Sequence, residues 1–181
     1  MSSAAPGDLE LLRQFVNTVD PDEHTDALDT PEHLGAWLSD RGLLATGTHV
    51  ASEDHTRALR FRECVRDLAL GNSGPAPDPQ AILSFNELAE PTRLVLQLGG
   101  DGSAALVAEG SDLDHVLGRL LASVFVAMTD GSWQRLKACS NDTCRWLYFD
   151  HSKNRSKKWC TMESCGNVIN ARAYRERRRE V

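Results

Sequence analysis

Four of the five cysteines in this 181-residue chain fall into two equal C-x4-C pairs, Cys139 with Cys144 and Cys160 with Cys165. No other feature restricts the fold as much. Thiolates suit a tetrahedral Zn²⁺, and two pairs, each closed by a short loop, bring four sulfurs together from two places in the chain. In a reducing compartment, clustered thiols favour a metal over disulfides. The 15 residues between the pairs have room for a β-hairpin, with Trp146, Tyr148 and Phe149–Asp150 on one strand and Lys157 to Trp159 on the other. After Gly166–Asn167 no proline interrupts the chain, which predicts a final helix with Cys165 at its N-terminus, where backbone amides stabilise a thiolate. The arrangement is that of a treble clef or zinc ribbon. It has few apolar residues to bury, so one structural zinc would supply most of its folding free energy, on the order of 10 kcal/mol. Iron suits the same donor set. Four cysteines complete the tetrahedron without His151. Cys64 sits beside Val65 in a helical pattern and reads as a small core residue.

The preceding residues read as a mostly helical body with a small β element. Leu9, Leu12, Phe15, Val16 and Val19 recur at helical spacing. Thr30–Pro31 and Gly42 frame a second helix, Ser52 and Gly71 a third, and Asp78–Pro79 and Pro91 a short fourth. Period-two alternation through Leu94, Leu96 and Leu98, the turn GGDGS, and then AALVA predict a hairpin, the centre of a small sheet. Ser111 with Asp114 opens what reads as the longest helix, ending near Gly131. The expected class is α+β and mostly helical. It comprises an α-rich domain over 1–132 and a four-cysteine finger over 133–181 that ends in a basic helix. Trp146, Phe149 and Trp159 are expected to form the finger's small core.

The net charge of −6 hides a division along the chain. Residues 1–132 carry 8 Lys and Arg against 21 Asp and Glu, a net −13; residues 133–181 carry 12 against 5, a net +7. An acidic body joined to a basic tail points to an anionic partner for the tail. Lys153, Arg155, Lys157 and Lys158 crowd the inter-cysteine segment. In the last segment Arg172, Arg175 and Arg179 recur three and four residues apart, with Arg178 beside them, so a helix puts them on one face. Such a face can follow a phosphate backbone. It can equally pack on the acidic body.

The segment from Cys139 to Asn167 follows C-x4-C-x2-L-Y-F-D-x-S-x-N-R-S-x-x-W-C-x-M-x-x-C-G-N and resembles the CGNR zinc finger. FVNTVDPDEHTDALDTPEHLGAWLSDRGLL, residues 15–44, is similar to the opening of the ABATE domain that usually precedes that finger. The resemblance implies a bacterial, stress-linked transcription regulator in which the four cysteines hold zinc. Val168 follows Cys165–Gly166–Asn167 where the family pattern has arginine, which removes one candidate phosphate contact.

These readings converge on a cytoplasmic regulator that binds nucleic acid, DNA rather than RNA, through the finger. The alternative is a zinc-stabilised protein-interaction module. The start of the chain has neither the basic nor the apolar region of a signal peptide, and Arg119 interrupts its most apolar run, so no membrane segment is expected. Phe15, Asn17 and Trp37 are candidates for a pocket that senses an unidentified small molecule, and a homodimer would let two weak fingers act together. No phosphate-binding loop, dinucleotide fingerprint or hydrolase motif is present, and the run Asp20, Asp22, Glu23, His24, Asp26 reads as a solvated loop, so no enzyme is expected.

Overall fold

Side-chain caps set two of the helix starts. Thr30 Oγ1 accepts the His33 amide at 3.1 Å with Pro31 at the first helical position, opening α2 (Pro31–Asp40). Asp78 accepts the Gln80 amide at 2.9 Å in front of Pro79, opening α4 (Pro79–Ala89). The remaining helices are α1 (Asp8–Val16), α3 (Ser52–Gly71), α5 (Asp112–Asp130) and α6 (Asn167–Arg179). This is a computed structural model. It describes all residues except 1–3, 21–22, 75, 111 and 180–181, and the side chains of 173, 176 and 179; the expected cap Ser111 lies outside that set. Among the described residues, no helix is long and apolar enough to cross a membrane.

The strands form three separate antiparallel pairs: β1 (Val19–Asp20) with β2 (Thr25–Asp26), β3 (Leu94–Leu98) with β4 (Ala104–Ala108), and β5 (Leu136–Ala138) with β6 (Leu147–Phe149). The expected β3–β4 hairpin is therefore not the centre of a sheet; it lies with β4 against α5. Gly118 makes that approach possible, since a Cβ there would stand 2.3 Å from the Ala108 Cβ. The longest helix is α3, at 20 residues against 19 for α5, because its pattern continues unbroken from Ser52 to Gly71.

Helices α1, α2, α3 and α5 bury Leu12, Phe15, Leu34, Leu38, Phe61, Val65, Leu117 and Leu120 in one core. Part of the acidic run is tied into this body, while Glu23 and His24 are exposed. Asp26 receives both terminal nitrogens of the buried Arg62, at 2.7 and 2.8 Å, and Asp20 accepts the Glu23 amide. Asp22 lies outside the described residues.

The same core continues past residue 132. Trp133, Leu136, Ala138, Leu147 and Phe149 all belong to it. Asn17 clamps the β6 backbone, donating to the Leu147 carbonyl and accepting the Leu147 amide, both at 2.8 Å. Asn72 at the end of α3 donates to the carbonyls of Trp133 and Leu136 at 2.8 Å. Arg66 of α3 bridges the Val16 carbonyl and the Arg145 carbonyl.

Asn17→Ala is expected to leave the buried Leu147 amide and carbonyl without partners and to cost about 1–3 kcal/mol. The loss should appear as a lower urea midpoint with an unchanged slope.

Candidate metal centre and basic surface

The hairpin that enters the cysteine cluster differs from the expected one. The chain arriving at Cys139 pairs with the chain leaving Cys144, with Leu136 opposite Phe149, Lys137 opposite Tyr148 and Ala138 opposite Leu147. Residues 157–159 are not a strand; they lie alongside through the Ser140 amide on the Lys158 carbonyl, at 2.9 Å. A four-residue loop between paired cysteines turns the chain straight back on itself, so the nearest partner is the incoming segment. Within the loop, the amides of Cys144 and Arg145 bond the Asn141 carbonyl at 2.9 and 3.1 Å, and Arg145 takes a left-handed φ of 49°.

The second pair arrives on a turn. Thr161 Oγ1 accepts the Ser164 amide at 3.2 Å and caps a single wide turn, Met162–Gly166, that leads into α6 and carries Cys165 at its end. Gly166 leaves room there for the Met162 side chain, whose sulfur would stand 2.7 Å from a Cβ.

All four sulfurs lie buried within 4.8 Å of one another, with Cys144–Cys160 and Cys160–Cys165 both at 3.7 Å. Four thiolates about 2.3 Å from a tetrahedral Zn²⁺ stand about 3.8 Å apart, so the donor set fits one zinc ion. Tyr148 is fully buried beside the sulfurs, and Trp146 and Trp159 flank them. Phe149, expected among them, instead packs into the body because alternate residues of a strand face opposite ways. Asn141, itself buried, donates to the Cys165 sulfur at 3.4 Å. Hydrogen bonds from Cys144 and Cys160 hold Cys139 far below the ordinary thiol range, and Cys144 is pushed up as the donor to it.

His151 is no ligand; its ring lies against Phe149 and its Nε2 is 3.1 Å from the Ala4 carbonyl. Cys64 is a core thiol that donates to the Ala81 carbonyl, and burial raises it to about 11. Phe15 is buried in the core with Trp37 edge-on at 5.7 Å, and Asn17 is committed to Leu147, so all three serve the body's packing rather than line a pocket.

The candidate phosphate contacts Lys153, Arg155, Lys157, Lys158, Arg172, Arg175 and Arg178 are all exposed. The Arg179 side chain lies outside the described residues. Helix α6 continues directly from the cysteine turn that precedes it. Of the two basic groups, one thus lies between the cysteine pairs and the other follows the second pair.

A residue that composition hides organises the first group. Lys137 is only 4% exposed, and its ammonium donates to Asp150 Oδ2 at 2.9 Å, to the Arg155 carbonyl, and to the Lys157 carbonyl at 3.2 Å. Asp150, with no exposed surface, also accepts the Ser152 amide and hydroxyl at 2.9 and 2.6 Å and the Lys157 amide at 3.0 Å. All three ammonium donors and both carboxylate oxygens are used, which is the condition under which a buried pair is tolerated. The pair fixes the loop 150–157, including Arg155 at a left-handed φ of 50°. Burial alone would raise the Asp150 carboxyl, but hydrogen bonds from Ser152 and Lys137 outweigh it and bring the group down to about 2.

A depressed carboxylate stabilises the fold above its unfolded pKa and loses that contribution as pH falls through the folded value. Asp150 should therefore contribute about 2 kcal/mol above pH 5, declining toward pH 2. The stability gap between the wild type and Asp150→Asn, read from urea midpoints, is expected to narrow over that window.

Residues 135–178 match the family model of the CGNR zinc finger, and residues 9–131 match the ABATE model, described as "Putative stress-induced transcription regulator". A comparison with curated proteins gave no match. The ABATE match spans more than half of the chain and abuts the finger match, which contains all four clustered cysteines. The chain therefore belongs to the ABATE family and carries a CGNR zinc finger whose four cysteines form a site for one structural zinc.

Proposed function

We propose that this regulator binds DNA through the two basic groups flanking its zinc site. The observation that carries the reading is the contrast between buried and exposed charge in the finger. Lys137 is consumed internally to shape a loop. Lys153, Arg155 and Lys158 on that loop, and Arg172, Arg175 and Arg178 on α6, face solvent with no carboxylate within ion-pair distance among the described residues. Among those residues, ion pairs of the finger with the body are confined to the first cysteine loop, where Arg145 meets Asp67. The −13 body thus leaves these cations available to an external polyanion.

DNA is favoured over RNA by shape. A lone helix of 13 residues fits the major groove of B-DNA, whereas the major groove of an RNA duplex is too narrow for side chains to read. The neutral donors Asn154 and Ser156, also exposed, suit phosphate contacts beside the cations. Within the acidic run, Asp26 is committed to the Arg62 pair and Asp20 to the Glu23 amide. The body holds the finger at a fixed orientation, so a signal received there would act by moving the shared hairpin.

Fluorescence anisotropy of a labelled duplex, titrated with zinc-loaded protein over a salt series, tests this reading. Affinity should fall steeply with salt. Replacing Arg172, Arg175 and Arg178 with glutamine should reduce the log–log slope by about 2–3, near 0.9 for each phosphate that is no longer neutralised. Folded, zinc-loaded protein that binds no duplex even at low salt would instead favour the protein-interaction module.

A further inference from the structure

Strand β3 is an unguarded sheet edge. Natural proteins protect exposed edges with charge, proline, bulges or cover, yet β3 reads Leu-Val-Leu-Gln-Leu and, among the described residues, pairs only with β4. The ladder identifies which of its backbone groups are free. The Glu109 amide bonds the Arg93 carbonyl and the Gly99 amide bonds the Ser103 carbonyl, both at 2.8 Å. Hydrogen-bonded pairs alternate in an antiparallel ladder, so Val95 and Gln97 point their amides and carbonyls inward to β4. Leu94, Leu96 and Leu98 point theirs outward. On the sheet face, Leu96 and Leu98 are 69% and 72% exposed, because β4 lies on α5 while the tip of β3 overhangs it.

We propose that this edge is the interface between two copies of the chain, β3 pairing antiparallel with β3 about a two-fold axis at Leu96. In that register Leu96 meets Leu96, and Leu94 meets Leu98 of the second copy. These are the very residues whose amides and carbonyls are free, so the edge is complementary to itself. The charges agree: Arg93, just before the strand, comes beside the turn of the other copy that carries Asp101. The four-stranded sheet would join two bodies and leave both basic helices available to one duplex.

Light scattering on zinc-loaded protein across a wide concentration range tests the proposal. The expected result is twice the chain mass at high concentration. Leu96→Pro removes an outward amide without touching the bonds to β4, and Leu96→Lys places a gatekeeper charge on the axis; both should give the monomer. Leu83→Lys, on exposed α4, should leave the dimer intact. Amide exchange resolved by residue gives a second reading on the unaltered protein, with Leu94, Leu96 and Leu98 becoming protected as concentration rises. A monomer at all concentrations would overturn the proposal. So would a dimer that survives both Leu96 substitutions, or fast exchange at these amides in the dimer.

Discussion

The structure depends on the pleat of one short hairpin. In β5 and β6, Leu136, Ala138, Leu147 and Phe149 face the body's core, while Tyr148 faces the metal centre and Lys137 the Asp150 carboxylate. Alternation along a strand thus makes six residues a wall shared by two hydrophobic environments. Cys139 follows directly on Ala138, so the first sulfur is placed by a strand that the body already holds. Asn17, Arg66 and Asn72 fix that strand pair from α1 and α3 through its backbone, where a side-chain substitution within the hairpin would leave them undisturbed.

From this wall the finger is ordered by two polar centres. One is the sulfur cluster, four buried thiols gathered within zinc-binding distance of one another. The other is the Lys137–Asp150 pair, which needs no metal and gathers the loop 150–157 around itself. Removing either partner would leave an uncompensated buried charge, the costly case for such pairs. Between them, the two centres convert a flexible basic segment into a fixed surface. The arginines of α6 follow from the second cysteine turn, so their position depends on the metal more than on the body.

Much of this is legible in the sequence. The four ligands, the caps at Thr30 and Asp78, the β3–β4 hairpin and the final helix each have a local cause, a spacing or a capping side chain, that sequence displays. The partner of the Tyr148 strand is not legible, because Leu136-Lys137-Ala138 lies outside the cysteine pairs and three residues carry little periodicity. Lys137 reads in sequence as one more cation of a basic tail; only its strand register, opposite Tyr148 and facing Asp150, buries it. Sequence proximity suggests that Phe149 belongs to the finger, and the pleat sends it to the body. Asn17 and Trp37 resemble pocket residues for a similar reason: their partners, the Leu147 backbone at a separation of 130 residues and the ring of Phe15, are set by tertiary packing.

The central claim is that zinc and the shared hairpin together present the basic surface to DNA. Its most direct test compares duplex affinity of the full chain before and after zinc is removed by a chelator, at one fixed salt concentration. The account predicts a loss of at least about tenfold, equivalent to about 1.4 kcal/mol, that is reversed when zinc is restored. Equal affinity in the two states would contradict it, for the arginines would then bind as an unstructured cationic tail.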